Sequence, residues 1–311
     1  QSVVAGWRSR TRSLLSDFSF STLSSRRDGS DRNSEAARSR GASVESAHSA
    51  GSAESHPDTL YKIELSKSSQ RLDLAASGLS SMPQLEGSGG GGGLERVLHA
   101  DLNSNSLAAI SESASLRLPP DHQTAAQLPG DGSPLQHLTI SCNDLQTISL
   151  TDPSLAQLES LSLFNNRLSR LPNGLRNITS LKALSLDYNH LPDLGEAITA
   201  LTQLRTLGMY HNKISKISDA IHGLTHLESL ALQHNRISHL PATFSKLSSL
   251  TDLQLTHNRI SSVTWLPPLT SLVRLGLSHN GIRSLPPDLH MLHKLTTVAI
   301  AHNKLDTLPS S

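Results

Sequence analysis

Residues 181–191 read LKALSLDYNHL, and this pattern of leucines and one asparagine returns at a nearly constant spacing along most of the chain. Written from its first leucine, the pattern is L-x-x-L-x-L-x-x-N-x-L. Clean copies begin at Leu135, Leu158, Leu181, Leu204, Leu227, Leu250, Leu272 and Leu295, so the step is 23 residues except for 22 after Leu250. Two weaker copies begin at Ser69 and Val97. A period of this length predicts a repeat protein built from stacked coils.

The leucines and the asparagine of each copy predict its local structure. Leucines at the fourth and sixth positions alternate with polar residues, which predicts a short strand with one buried face. The asparagine at the ninth position is expected to satisfy backbone groups of its own coil and of the next coil. The second half, such as residues 171–178, is predicted to return along the convex side as a short helical or 3₁₀ turn. Stacked coils of this kind form an α/β solenoid with a parallel concave sheet and a leucine core.

These residues resemble the leucine-rich-repeat superfamily, whose fold is a horseshoe. The 23-residue unit with a Leu-Pro pair in its second half is similar to the intracellular group that includes Ras-suppressor and Ras–Raf scaffold proteins. The copy at Leu250 departs from that unit, and its return segment, residues 265–269, resembles the 22-residue phosphatase-regulator type. The resemblance covers residues 135–311 firmly and residues 69–110 loosely. It implies protein binding, commonly of signalling or cytoskeletal partners.

The composition divides the chain into three segments. Residues 1–60 are rich in serine and arginine and poor in branched apolar residues, which predicts a disordered tail. Residues 61–134 hold the weak repeats with inserted flexible loops, and residues 135–311 form the regular array. The 27 basic and 26 acidic residues give a net charge of +1, so no nucleic acid is predicted as a partner. No apolar run approaches the roughly 18 residues of a membrane span.

The partner-binding surface is predicted from the few aromatic residues. Positions three, five, seven and eight of each copy face the concave surface or its rim. Phe164, Tyr188 and Tyr210 take position seven or eight in adjacent copies, around Asp187. Clustered exposed aromatic residues are typical of binding hot spots, and the alternative is that they only cover the rim. Farther along this face, the candidates for polar specificity are Asp252, Gln254 and Arg274.

Five consecutive copies place a histidine directly before the asparagine, at His211, His234, His257, His279 and His302. Neighbouring coils lie about 4.8 Å apart, so the imidazoles are expected to form a ladder in which like charges lower the pKa values. A metal site, a pH-sensitive partner surface and simple tolerance of a small polar ring are the alternatives. The ladder contains no cysteine or carboxylate and its side chains converge poorly on one ion, so neither a metal nor a cofactor is predicted. The first four histidines join the predicted partner-binding residues.

The function favoured by the sequence is that of a non-catalytic scaffold or adaptor in intracellular signalling, which binds a protein partner on the concave face of the repeat array. A single cysteine, Cys142, favours a reducing compartment and a cytoplasmic location. The partner is predicted to be a protein, such as a small GTPase, a phosphatase or a cytoskeletal protein. The alternative is that the array forms the regulatory arm of a larger kinase, cyclase, phosphatase complex or ubiquitin ligase. Because the copy at Leu295 has no capping coil after it, the natural chain is expected to continue past Ser311.

Overall fold

The computed structural model describes residues 43–45, 60–64, 71–79, 84–87, 99–110, 135–151 and 153–306. The chain divides into two units, and these residues all belong to the second, Gly41–Ser311. The first unit, Gln1–Arg40, lies outside the described residues, as do most of the predicted tail and the predicted insertion between residues 111 and 134.

One parallel sheet of ten strands organises the described residues. Each copy of the repeat contributes one strand, and the strands lie side by side in chain order. They are Arg71–Asp73, His99–Asp101, His137–Thr139, Ser160–Ser162, Ala183–Ser185, Thr206–Gly208, Ser229–Ala231, Asp252–Gln254, Arg274–Gly276 and Thr297–Ala299. The two weak copies therefore join the same sheet as the regular ones. The predicted horseshoe of parallel coils is confirmed.

The register of the sheet aligns equivalent positions of successive coils. Leu184 lies opposite Leu161 on one side and Leu207 on the other. Because equivalent positions stack from coil to coil, the apolar residues at positions one, four, six and eleven form one continuous core, and nearly all of them from Leu135 to Leu277 are buried. The core extends from Leu74 to Leu292, so each coil depends on its neighbours for burial.

The return segments on the convex side are short 3₁₀ turns, as predicted. Their bounds are Pro153–Gln157, Leu175–Asn177, Glu196–Ala200, Asp219–Gly223, Ala242–Lys246 and Pro287–Met291. The shorter coil that begins at Leu250 returns without such a helix. There Trp265 is buried and packs edge-to-face on Phe244 of the preceding coil, with ring centroids 5.3 Å apart.

The asparagine at position nine joins each coil to the one before it. Asn212 Nδ2 donates to the carbonyl oxygens of Leu186 in the preceding coil (2.9 Å) and Met209 in its own (3.1 Å). Its Oδ1 accepts from the backbone N–H of Leu191, also in the preceding coil, at 3.0 Å. The prediction that the amide reaches the next coil was therefore wrong in direction. The chain has already turned inward at this position, and the backbone N–H and carbonyl groups within reach of the amide belong to the preceding coil.

The residue before each asparagine adopts a left-handed backbone conformation. From Ala76 to His302, ten non-glycine residues at position eight have φ between 53° and 57°. This conformation is uncommon for residues with a Cβ, although asparagine and histidine enter it more often than most. The turn after each strand requires it, so position eight projects outward while position nine points into the core.

Two smaller sheets accompany the main one. Ser43–Glu45 pairs antiparallel with Leu60–Glu64, which pairs parallel with Gln84–Gly87. Ala109–Ile110 pairs parallel with Thr147–Ile148. At the other end of the array, the coil at Leu295 is less buried than the central coils, and Val298 is 49% exposed at the strand position that is buried elsewhere.

Candidate partner-binding surface

The predicted aromatic residues meet at the rim where the concave strands end. The ring of Tyr188 contacts Phe164 on one side (centroids 5.4 Å apart, 73° between planes) and Tyr210 on the other (5.0 Å, 86°). Both contacts have the edge-to-face geometry that aromatic pairs prefer. The hydroxyl of Tyr188 also donates to that of Tyr210 at 3.2 Å. Tyr188 is 38% exposed, so a large aromatic side chain faces outward from a rigid coil.

The histidines continue this aromatic row along the same rim. His211 stacks on Tyr188 with centroids 4.6 Å apart, and His234 then stacks on His211 at 4.4 Å. The remaining steps, from His234 through His257 and His279 to His302, measure 4.2, 4.0 and 4.1 Å. The left-handed backbone at each position eight projects every ring in the same direction. The rim therefore presents one unbroken row of rings across seven coils, from Phe164 to His302.

Burial and mutual proximity lower the pKa values of three of these histidines. For His234, desolvation acts first and the neighbouring His211, His257 and His279 add to it, which lowers the pKa to about 4. Desolvation likewise lowers the pKa of His211. The lowered pKa values favour the neutral imidazole of His211 and His234 at physiological pH.

Asp187 lies beneath the tyrosines rather than on the surface, because it is only 3% exposed. Its carboxylate accepts from the backbone N–H of Tyr210 at 2.7 Å and from the hydroxyl of Ser185 at 2.9 Å. Burial nevertheless dominates and raises its pKa from 3.8 to about 6. The space for this carboxylate exists because the neighbouring residue is Gly208, where any Cβ would collide with it. Asp187 therefore positions Tyr210.

The other predicted polar residues form a second buried network on the concave strands. Asp252 accepts from Arg274 Nε at 2.7 Å, forms an ion pair with the same guanidinium, and accepts from Gln254 Nε2 at 2.8 Å. Gly276 makes room for Gln254, as Gly208 does for Asp187. Asp252 and Gln254 are buried and Arg274 is half-buried. Of this group, only the guanidinium of Arg274 reaches the surface.

The structure thus brings together Phe164, the two tyrosines and the histidines, and it separates the Asp252 network from them. Sequence reasoning missed Gly208 and Gly276, whose only signal was a glycine at position five of the repeat. It also missed the stacked pair of His99 and His137, 4.4 Å apart, which occupy position three of adjacent coils.

The described residues contain no cluster of three or more histidine, cysteine, aspartate or glutamate side chains suited to hold a metal ion. Stacked imidazoles lie face to face, so their nitrogens do not converge on one point. None of the helices in the described part of the chain has the length and apolar character to cross a membrane.

Comparison with known proteins agrees with this geometry. Parallel one-strand coils joined by an asparagine ladder define a solenoid of short repeats. Residues 195–237 and 225–282 match a family described as Leucine rich repeat, and residues 157–178 match a second family of the same description. The fold is therefore a leucine-rich-repeat solenoid. No curated protein sequence matches the chain significantly.

Solved structures with similar coordinates have low sequence identity to this chain. A leucine-rich-repeat protein of Leptospira interrogans is 22% identical, with 78% of this chain and 69% of that chain covered and a TM-score of 0.53. An internalin from Listeria monocytogenes is 23% identical, with 70% and 68% covered and a TM-score of 0.50. A plant peptide hormone receptor, RGFR1 in complex with RGF2, is 25% identical, with 68% and 33% covered and a TM-score of 0.53. This chain spans about one third of that receptor's length.

Proposed function

We propose that this chain is a non-catalytic scaffold or adaptor that binds a protein partner through the aromatic part of its strand-end rim. The observation that carries this proposal is the contact cluster of Phe164, Tyr188 and Tyr210. Large, rigid aromatic side chains that protrude from a fixed backbone are what binding hot spots consist of. The buried Asp187 fixes the backbone of Tyr210, and ring contacts with Tyr188 and His211 restrain its side chain, so little side-chain freedom is lost when a partner binds.

The proposal extends to the setting in which this binding occurs. The 23-residue unit and its Leu-Pro pairs support the intracellular type of leucine-rich repeat, and the single cysteine supports a reducing compartment. We place the protein in cytoplasmic signalling, with a small GTPase, a phosphatase or a cytoskeletal protein as the class of partner. RGFR1 forms a complex with RGF2, which supports ligand binding as the use of this fold.

Site-specific photocrosslinking tests the proposed surface. A benzoyl-phenylalanine is placed at Tyr188, and the matched control carries it at Arg176, which is exposed on the convex side. We expect the probe at position 188 to capture a protein in cells and the probe at 176 to capture none of it. The captured protein is then purified, and its affinity is measured for Phe164→Ala, Tyr188→Ala and Tyr210→Ala. Each should lose more than about 1 kcal/mol, roughly fivefold, while Asn173→Ala on the convex side should lose almost nothing.

The result that contradicts the proposal is a partner lost only through convex-side substitutions. Circular dichroism and urea unfolding of each variant separate a lost contact from a lost fold. A partner that binds the tyrosine variants as tightly as the wild type would show that the rings only cover the rim.

A further inference from the structure

A second row of side chains runs beside the histidines, one position beyond the buried asparagine. Position ten is occupied by Lys213, Arg236, Arg259 and Lys304 in four of the last five coils, and all four side chains are exposed. Two further exposed cations, Lys216 and Arg283, lie just behind them in sequence. These six residues are called the basic rim.

The backbone holds the basic rim at fixed intervals. The N–H of Lys213 donates to Leu191 O at 2.9 Å, and the N–H of Arg236 donates to Ile214 O at 2.8 Å. The corresponding bonds of Arg259 and Lys304 measure 2.8 and 2.9 Å. Since coils lie about 4.8 Å apart, four steps place these cations along about 19 Å of one edge.

Acidic residues lie only beside the outer members of the basic rim, because Asp193 lies opposite Lys216 and the backbone N–H of Asp306 donates to Arg283 O at 3.0 Å. Between Lys213 and Ser284, the four residues that follow each asparagine include no aspartate or glutamate, and Asp306 is the first acid in that position. The ion pairs within the described residues are Arg167–Asp144, Lys182–Glu159, Arg205–Glu228 and Arg274–Asp252. None of them includes a cation of the basic rim.

The opposite rim, where the strands begin, places charges of opposite sign on adjacent coils. There Lys182 pairs with Glu159 at 2.6 Å and Arg205 pairs with Glu228 at 2.5 Å, each across adjacent coils. Like charges directly opposite on neighbouring strands are destabilising, and opposite charges are stabilising. The position-ten row also holds one ion pair in its earlier coils, between Arg167 and Asp144 at 2.7 Å. From Lys213 onward, however, none of the ion pairs in the described residues includes a position-ten cation.

We propose that the basic rim binds an α-helix of a partner protein that carries an acidic stripe, with one carboxylate per helical turn. A helix repeats every 5.4 Å, so over four steps it drifts from the coil spacing by only about 2.4 Å, within the reach of lysine and arginine side chains. One face of an extended strand repeats every 6.7 Å or so and drifts by about 7.6 Å. The inference rests on the proposed function, because it names the chemistry of a protein partner for a rim that continues from the tyrosines.

The probe for this surface is a synthetic helical peptide. It is acetylated and amidated, about 20 residues or 30 Å long, and carries glutamates at i, i+4, i+7, i+11 and i+14 on an alanine-rich background. The reference peptide, called the scrambled peptide, has the same composition with the glutamates spread around all faces of the helix. Both are titrated against the whole chain at low and physiological salt, because screening weakens exposed charge pairs.

The variant is Lys213→Glu/Arg236→Glu/Arg259→Glu, and its matched control is Arg176→Glu/Lys246→Glu/Lys294→Glu. The control makes the same change in net charge at exposed positions elsewhere. A glutamine version of both triples removes the charges without reversing them, should the reversed variant fold poorly. We expect the first triple to weaken binding of the striped peptide at least about tenfold and the control at most about twofold. The scrambled peptide should bind at least about fivefold more weakly than the striped one.

Several results would overturn the inference. They are equal binding of the striped and scrambled peptides, equal losses in the two triple variants, and tighter binding of a 20-nucleotide oligo-dT or of phosphatidylserine vesicles than of the striped peptide. The partner captured at Tyr188 separates this inference from the proposed function. If Tyr188→Ala weakens binding of that partner and the basic-rim triple variant does not, the basic rim is excluded as a binding surface and the proposed function stands.

Discussion

Replacing Asn212 by alanine tests the physical basis of the whole solenoid. Apart from a long hydrogen bond to Tyr210 O at 3.4 Å, its side-chain amide makes one hydrogen bond within its own coil and two to the preceding coil. All three backbone partners belong to fully buried residues, Leu186, Leu191 and Met209. Alanine removes the amide without adding any group that could replace it.

The expected loss follows from the groups left behind. A buried donor or acceptor without a partner costs about 1 to 3 kcal/mol. Three such groups, taken in the lower half of that range, give a loss of about 3 to 6 kcal/mol in the free energy of unfolding. Since whole domains are stable by only about 5 to 15 kcal/mol, this is a large share of the total.

Urea unfolding followed by circular dichroism measures this loss. The matched control is Asn303→Ala, which removes the same three bonds, to Leu277, Ile282 and Ile300, from a half-buried side chain in the last described coil. Water reaches that coil more easily, so the control should lose only about 1 to 2 kcal/mol. A loss below about 1 kcal/mol at Asn212, or equal losses at the two sites, would refute the idea that the buried ladder holds the coils together.

Four further outcomes follow from the site and from the edge of the array. Gly208→Ala should destabilise the protein by about 1 to 3 kcal/mol in urea, because its Cβ meets the carboxylate of Asp187; a variant as stable as wild type would show that the carboxylate moves aside freely. Because the pKa of Asp187 is raised from 3.8 to about 6, its contribution to stability is full below pH 3.8 and is lost as pH rises through about 6, so Asp187→Asn should remove that pH dependence. The lowered pKa of His234 changes stability in the opposite direction. The contribution of His234 to the free energy of unfolding is full above pH 6.5 and is lost as pH falls through about 4. Urea unfolding of His234→Gln at several pH values should lack that step. Hydrogen exchange should show less protection in residues 295–306, where Val298 is 49% exposed, than in residues 181–260; uniform protection would contradict this.

The strands and their register could be predicted because the repeat imposes them. Once Leu184 is known to stack between equivalent leucines, only one alignment buries every leucine. The left-handed residues before each asparagine could not be predicted, since histidine, tyrosine and cysteine share that position and no composition rule unites them. The direction of the asparagine bonds also escaped prediction, because it depends on how far the chain has turned at that point.

The candidate surface was predictable only in part, for a similar reason. Position in the repeat placed Phe164, Tyr188 and the histidines on one rim, and their contacts follow from coil spacing. It did not indicate that Asp187 and Asp252 would be buried. That outcome depends on side chains from neighbouring coils and on two glycines, which a reading of one repeat at a time does not combine.

The shorter coil that begins at Leu250 has a consequence for how such an array changes over evolutionary time. It lacks one residue, yet Asn280 still bonds Leu255, Ile260 and Leu277 at 2.9 to 3.0 Å, and Leu253 still pairs with Leu275. The missing residue is absorbed entirely on the return side, where Trp265 replaces a helical turn. The half of the coil that holds the strand and the asparagine thus contacts its neighbours in the same way, whatever the length of the return segment. Duplication or deletion of whole coils would therefore lengthen or shorten the rim in increments of about 4.8 Å without inventing a new joint.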